Sequence, residues 1–147
     1  MNGTERVKLS KVIDKMQLTN LTPDVDTSGI WLHIPEVNRP ALQLTGFYNQ
    51  FDNDRIQIIG NVEYSYLSSL SETDRYERYM QLLSSNIPCL VFCRDLEPEA
   101  KVIELATKYK IPILKSKAAT SAFMAEVIRW LNVQLAPCIV IHGVLVD

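Results

Sequence analysis

Glycine is scarce in this sequence, and the positions of the few glycines exclude the common nucleotide-binding motifs. The five glycines stand at positions 3, 29, 46, 60 and 143. They form neither the G-x-x-x-x-G-K-[ST] loop that surrounds a triphosphate nor the G-x-G-x-x-G turn of dinucleotide-binding folds. The sequence also has no G-x-S-x-G turn and no His-Glu-x-x-His helix. These absences argue against an independent enzyme.

Cysteine is rare as well, with three residues at Cys89, Cys93 and Cys138. An odd number of cysteines argues against a disulfide framework. If Cys89 and Cys93 share a strand, they lie about 13 Å apart, which exceeds the limit of roughly 7 Å between Cα atoms for a disulfide. We interpret all three as small core residues, and no metal site is predicted.

Long hydrophobic runs and an excess of one charge are also missing. The chain has 15 basic and 17 acidic residues and a net charge of −2, whereas nucleic-acid binders carry a basic patch. No segment approaches the roughly 20 apolar residues of a membrane span, and residues 1–10 do not resemble a signal peptide. We therefore expect no nucleic-acid partner, no membrane partner and a cytoplasmic location.

What the sequence does contain is an alternation of strand and helix patterns. Hydrophobic periodicity predicts helices over residues 7–17, 71–84, 98–109 and 120–134, a short helical turn over 39–44, and strands over 30–34, 55–59, 89–93 and 111–114. This order predicts an α/β fold, with a mixed or parallel sheet and βαβ units flanked by helices. We expect one domain over residues 1–135 and a separate segment over 136–147.

A cluster of arginines and glycines is the strongest candidate for a ligand-binding site. Arginine can bind phosphate or carboxylate through two hydrogen bonds, and glycine permits close approach of the backbone. The candidate residues are Arg39, Thr45, Gly46, Arg55, Gly60 and Glu63. If they form one site, Arg39 and Arg55 should reach the same anion. The alternative is that both arginines pair with Glu36, Asp52 or Asp54 and tie loops together, and we favour this alternative.

The two histidines are interpreted differently. His33 stands two residues after Trp31 in a predicted strand and is expected to be a partly buried structural residue. His142 lies in the apolar run 138–147, where it is either neutral and hydrogen-bonded or part of a site. That run is predicted to be a strand with an unprotected edge, so we expect it to be disordered, fold back or mediate a dimer.

Several short motifs follow one another in order along the chain. The first are RPALQLTGFY at 39–48, RIQIIG at 55–60 and EYSYL at 63–67. They are followed by IPC at 87–89, LEP at 96–98, IPIL at 111–114, LAP at 135–137 and HGVLVD at 142–147. Together these motifs resemble the N-terminal domain of HPr kinase/phosphorylase. Ala41 stands where the family pattern has glycine. The resemblance covers nearly the whole chain from Val7 onward.

The resemblance implies a regulatory or architectural domain of a bifunctional HPr serine kinase/phosphorylase that controls carbon catabolite repression. It implies a fold similar to the substrate-binding domain of peptidoglycan-precursor (Mur) ligases. The phosphate loop, ATP and Mg²⁺ would belong to a kinase domain that begins within residues 136–147, with His142 near its active site. HPr would be the partner of the intact enzyme, which would be a homo-oligomer, and the chain alone would be inactive. The alternative is a sensor of sugar phosphates or nucleotide sugars.

Overall fold

The structure, a computed structural model, describes residues 6–136, in which strands and helices alternate along the chain. In chain order the elements are β1 (Val7–Lys8), α1 (Leu9–Lys15), β2 (Thr19–Asn20), β3 (Trp31–Leu32), β4 (Val37–Asn38), α2 (Ala41–Leu44), β5 (Ile56–Ile59), α3 (Asn61–Ser69), α4 (Glu72–Leu83), β6 (Leu90–Phe92), α5 (Ala100–Tyr109), β7 (Ile113–Lys115) and α6 (Thr120–Gln134). The predicted α/β class is confirmed.

Five of the strands form one mixed sheet in the order β2-β7-β6-β5-β4. The four strands β4 to β7 are parallel, and their register places Ile58 opposite Val91 and Val91 opposite Leu114. The short strand β2 runs antiparallel to β7 at one edge. A separate antiparallel pair joins β1 to β3. The sheet is therefore mixed, with a parallel centre, as predicted.

Helices cover both faces of the central strands, so the sheet lies between two apolar cores. Every residue of β5 and β6 is buried. Ile58 and Val91 face the core that α1 and α6 complete, whereas Ile59 and Phe92 face the core that α3, α4 and α5 complete. Parallel strands normally have both faces covered in this way, because their crossover connections place helices on the faces.

The side chain of Ser71 caps the beginning of α4. The hydroxyl oxygen of Ser71 accepts a hydrogen bond from the backbone N–H of Asp74 at 3.1 Å. Arg75, one turn into the helix, donates from Nε to the Glu99 carboxylate at 2.6 Å and from Nη1 to the carbonyl of Leu70 at 3.0 Å. Arg75 thereby links the end of α3 to the residue that precedes α5.

Several predicted boundaries near the N-terminus need correction. The helix predicted over residues 7–17 is α1, Leu9–Lys15, because Val7–Lys8 pairs with Trp31–Leu32 as a strand. The strand predicted over residues 30–34 is limited to those two residues of β3. Both differences arise because backbone pairing with a distant segment overrides local periodicity.

Helix α3 and strand β4 are absent from the predicted elements. Helix α3 buries only Glu63 and Leu67 and has little separation of polar and apolar faces, so its periodicity is weak. Strand β4 has two residues and exists only through its parallel pairing with β5. The predicted strand over residues 138–147, with Cys138 and His142, lies outside the described residues. No helix within residues 6–136 is long and apolar enough to cross a membrane.

The interpretation of Cys89 and Cys93 as core residues is confirmed. Both side chains are fully buried in the core beneath α1 and α6, and neither forms a disulfide. Burial raises the pKa of the Cys89 thiol to about 12 and that of the Cys93 thiol to about 11. At neutral pH, both groups therefore stay protonated, and a protonated thiol is a poor nucleophile.

We expect Cys89 and Cys93 to resist an aromatic disulfide reagent in the folded protein at pH 8. The measurement uses a Cys138→Ser variant, so that only the two core thiols can react. Release of the chromophore should be negligible until denaturant is added, and two equivalents should then appear rapidly. Fast reaction of either thiol in the native protein would contradict this packing.

Candidate functional site

The carboxyl ends of the parallel strands bring several polar side chains together at one edge of the sheet. Arg39 follows β4, Gly60 follows β5 and Cys93 follows β6. Glu63 and Thr120 lie in the first turns of α3 and α6, which begin at the same edge. Ligands of open α/β sheets usually bind outside the carboxyl ends of the strands. This group of five residues, here called the carboxyl-edge cluster, is therefore the candidate functional site.

The buried carboxylate of Glu63 organises the cluster. Its Oε1 atom accepts hydrogen bonds from the backbone N–H of Gly60 at 2.7 Å and from Nη2 of Arg39 at 2.8 Å. Only 3% of the Glu63 side chain is exposed, whereas 35% of the Arg39 side chain is exposed. Because Glu63 binds the first free N–H group of α3, it neutralises the positive end of that helix from within the chain.

Gly60 permits this packing because it has no side chain. A Cβ atom at position 60 would lie 2.6 Å from Nη2 of Arg39 and 2.7 Å from Oγ1 of Thr120. The φ angle of Gly60 is −108°, which any residue can adopt, so a steric requirement rather than a backbone one favours glycine here. The guanidinium of Arg39 and the hydroxyl of Thr120 thus converge on one backbone position.

Thr120 and Cys93 complete the buried side of the cluster. Thr120 is 5% exposed, and its hydroxyl lies beside the Cys93 thiol. Burial dominates the raised pKa of Cys93, and the neighbouring Arg39 and Thr120 partly oppose it. Neither residue was predicted from the sequence as part of a site. The sequence offered one signal for each residue: Cys93 ends a predicted strand, and Thr120 begins a predicted helix.

The turn after β6 holds two consecutive residues in the left-handed region. Arg94 and Asp95 have φ angles of 59° and 57°. Their backbone N–H groups donate to the carbonyls of Ala118 at 2.9 Å and Ser116 at 2.8 Å, which fixes the turn against the loop before α6. Non-glycine residues in this conformation cost roughly 1–3 kcal/mol each and concentrate at functional sites.

The structure separates the other predicted site residues from this cluster. Arg55 precedes β5, at the opposite end from Gly60, and pairs with Asp52 at 3.1 Å. An ion pair between Arg55 and Asp52 was the expected alternative, but the partner of Arg39 is Glu63, which was not expected. Arg39, after β4, thus lies at the carboxyl ends of the parallel strands and Arg55, before β5, at their amino ends, and they pair with different carboxylates.

Thr45 and Gly46 end α2 and belong to a different surface. The Thr45 hydroxyl donates to the carbonyl of Leu42 at 2.6 Å, and Gly46 has a φ angle of +100°. The prediction that His33 is partly buried is wrong, because its side chain is exposed. His33 borders a cleft of about 380 Å³ at the amino ends of the strands, which Asp54 and Lys110 also line.

Within residues 6–136, no three side chains of His, Cys, Asp or Glu lie together as a metal-binding group. The carboxyl-edge cluster therefore offers one ion pair with a buried carboxylate, one buried hydroxyl and one protonated thiol.

Replacing Gly60 by alanine should destabilise the protein by about 1–3 kcal/mol, because Arg39 and Thr120 must both move to admit the methyl group. Urea unfolding followed by circular dichroism measures the change. Gly29→Ala is the matched control, because a Cβ atom at position 29 would meet nothing within 4 Å. Equal stability of the two variants would show that the close approach at Gly60 is not required.

Removing the two arginine charges should have unequal effects. Arg39→Gln leaves the buried Glu63 carboxylate with a weaker partner, which should cost about 1–3 kcal/mol of unfolding free energy. Arg55→Gln breaks a pair whose acid, Asp52, is 58% exposed, and such pairs contribute only about 0–1 kcal/mol. Urea unfolding of both variants compares the two losses. A larger loss for Arg55→Gln would contradict the assignment of Glu63 as the organising group.

Comparison with known proteins gives relatives over nearly the whole chain. An HPr kinase/phosphorylase of Lachnoclostridium phytofermentans is 51% identical over 141 residues, which are 96% of this chain and 46% of that protein. An HPr kinase/phosphorylase of Clostridium acetobutylicum is 36% identical and is matched over 97% of this chain and 46% of its own length. The chain thus spans about half the length of these curated relatives.

A solved structure shares the fold at much lower sequence identity. It is the crystal structure of the CBS and DRTGG domains of the regulatory region of Clostridium perfringens pyrophosphatase, complexed with its activator, diadenosine tetraphosphate. The TM-score is 0.57 at 14% identity, with 89% of this chain and 50% of that chain covered. The sequence model of the family described as HPr Serine kinase N terminus matches residues 7–131. The chain belongs to the HPr serine kinase N-terminal domain family.

Proposed function

We propose that the chain acts as a regulatory or architectural domain of a bifunctional HPr serine kinase/phosphorylase. One observation carries the proposal. Nearly the whole chain matches proteins named HPr kinase/phosphorylase, but the match covers only 46% of the length of each of those proteins. The catalytic residues, ATP and Mg²⁺ would then belong to the part of the protein outside the match. HPr would then be the substrate of the intact enzyme, which would be a homo-oligomer. The enzyme would control carbon catabolite repression and lie in the cytoplasm.

The carboxyl-edge cluster supports a structural rather than a catalytic role for this domain. Phosphoryl transfer needs backbone N–H groups and a lysine around the phosphates, a bound Mg²⁺ and a group that orients the attacking hydroxyl. At the start of α3, the position that would suit a phosphate is taken by the Glu63 carboxylate. Glu63 would repel a second anion at this position, so the cluster does not favour binding of a nucleotide phosphate.

The alternative function, a sensor of sugar phosphates or nucleotide sugars, has weaker support. It required Arg39 and Arg55 to hold one ligand, but Arg39 binds Glu63 and Arg55 binds Asp52 at the other end of β5. The expected likeness to the substrate-binding domain of Mur ligases stays a prediction. A solved structure that shares the fold contains CBS and DRTGG domains.

The isolated chain should transfer no phosphate to HPr. Without a phosphate cradle nothing holds the γ-phosphate in line with the attacking hydroxyl, and positioning of this kind can contribute roughly 7–11 kcal/mol to catalysis. Purified chain, HPr, Mg²⁺ and labelled ATP are incubated together, and label on HPr is compared with a control without protein.

A chimaera provides the positive control for this assay. In it, the chain replaces the matching part of the L. phytofermentans relative and is joined to the remainder of that protein. The chimaera should phosphorylate HPr and, with inorganic phosphate, reverse the reaction. Labelling of HPr by the isolated chain would overturn the proposal, and so would a folded chimaera that fails in both directions.

A further inference from the structure

The segment that forms one edge of the main sheet has few apolar side chains to hold it there. This segment, residues 37–55, is here called the edge strap and contains β4, with two residues, and α2, a single helical turn. Within it, only two apolar side chains are buried, those of Pro40 and Leu44. The neighbouring strands β5 and β6 are buried along their whole length. Segments with few buried apolar contacts have the lowest local stability.

A buried amide on β5 holds the edge strap instead. Gln57 is 0% exposed, although its side chain is polar. Its Oε1 atom accepts a hydrogen bond from Nδ2 of Asn38 at 2.7 Å, and its Nε2 atom donates to the carbonyl of Arg55 at 2.9 Å. Nδ2 of Asn38 also donates to Oε1 of Gln43 at 3.3 Å, which connects α2 to the same group of amides. Gln57 therefore binds both the first and the last part of the edge strap.

The ion pair of Arg39 with Glu63 is the second attachment of the edge strap. Arg39 belongs to the strap, whereas Glu63 lies on α3, outside it. Nη2 of Arg39 donates to the Glu63 carboxylate at 2.8 Å, and the same oxygen accepts from the backbone N–H of Gly60. If the strap moved away, Glu63 would keep Gly60 and lose its charged partner. The carboxyl-edge cluster is thus divided between the strap and the rest of the domain.

These attachments can be released at a much lower cost in free energy than the core of the domain. A hydrogen bond that opens is replaced by a hydrogen bond to water, so its net contribution is small, whereas exposure of apolar surface is unfavourable in proportion to its area. A further contact of the strap, from Nδ2 of Asn53 to the carbonyl of Ser85 at 2.9 Å, is already exposed. Strands β5, β6 and β7 keep their pairing and both cores when β4 leaves.

We propose that the edge strap is a conformational switch, which opens as one unit while β5, β6 and β7 stay folded. The side chains of Gln57 and Arg39 make the contacts that keep it closed. In the open state the backbone edge of β5 is unpaired and Glu63 has lost Arg39, so the carboxyl-edge cluster is taken apart. Coupling between distant sites requires an element with two discrete arrangements, and the edge strap is such an element. The inference concerns the fold of this chain and does not depend on the proposed function.

Native-state hydrogen exchange of the chain tests the proposal. The strap reporters are the backbone N–H groups of Leu44, Gly46 and Phe47, which donate within the turn of α2, and the central reporters are those of Leu90 and Ser116, which donate between the central strands. A single helical turn is unstable by itself in water, so the strap reporters exchange once the strap leaves the sheet. They should exchange at least about tenfold faster than the central reporters, relative to unstructured peptides. Low concentrations of urea should accelerate them little, because opening exposes little surface.

A variant at Gln57 separates opening of the whole strap from fraying of α2. Gln57→Leu keeps a side chain of similar size but removes its hydrogen bonds to Asn38 and Arg55. Exchange of all three strap reporters should then accelerate about tenfold and by one common factor, with the central reporters as reference. Asn38→Ala removes the same contact at a half-buried position and should accelerate them at least about threefold, which keeps the test valid if Gln57→Leu does not fold.

The matched control lies at the opposite edge of the sheet. Thr22 is 1% exposed, and its hydroxyl accepts a hydrogen bond from the backbone N–H of Ile113 at 3.0 Å, so it links the segment after β2 to β7. Thr22→Val removes this buried contact and should leave the ratio of strap to central exchange unchanged.

Three results would overturn the proposal. The first is exchange of the strap reporters at the rate of the central reporters, because the strap then opens only when the whole domain unfolds. The second is an equal acceleration of both groups by Gln57→Leu. The third is strap exchange that neither Gln57→Leu nor Asn38→Ala changes, because α2 then frays by itself. Phosphorylation of HPr by the chimaera is a separate measurement, so the proposed function stands or fails independently.

Discussion

Burial of the central strands on both faces is the constraint on which the rest of this structure depends. All residues of β5 and β6 are inaccessible to water, and burial of each large apolar side chain contributes roughly 1.5–3 kcal/mol. Helices must therefore cover both faces, with α1 and α6 on one and α3 to α5 on the other. Polar groups with any exposure are left at the ends of the strands and on the outer surfaces of the helices.

Arg39, near the carboxyl end of β5, and Arg55, at its amino end, are held differently for a physical reason. At the carboxyl end, Glu63 is buried, so its carboxylate needs both Arg39 and the N–H of Gly60 to offset the loss of water. At the amino end, Asp52 remains hydrated and gains little from Arg55. α/β proteins often bind ligands at the carboxyl edge of the sheet. In this domain, side chains of the chain itself link the strand ends to the helices there.

Arg78 shows the opposite situation, because the fold brings it no carboxylate within the described residues. It lies beside the turn that ends α2, because a Cβ atom at Gly46 would be 3.3 Å from Nη1 of Arg78. The motif at residues 39–48 therefore serves two surfaces. Arg39, at its beginning, is bound to Glu63 within the domain, whereas Thr45 and Gly46, at its end, belong to the turn that ends α2.

The sequence by itself determined what depends on neighbours along the chain. Caps and amphipathic faces need only a few adjacent residues, so local patterns are enough to indicate them. Features of this kind are the Ser71 cap, the helices at 98–109 and 120–134, the buried strand at 89–93 and the family motifs. Only the tertiary structure decided the rest. Strand β4 and the pair of Arg39 with Glu63, 24 residues apart, arise when β4 aligns with β5, and the position of Thr120 over Gly60 arises when α6 packs on the sheet. Such contacts depend on strand register and on which face a helix covers, and these are settled by burial over the whole domain.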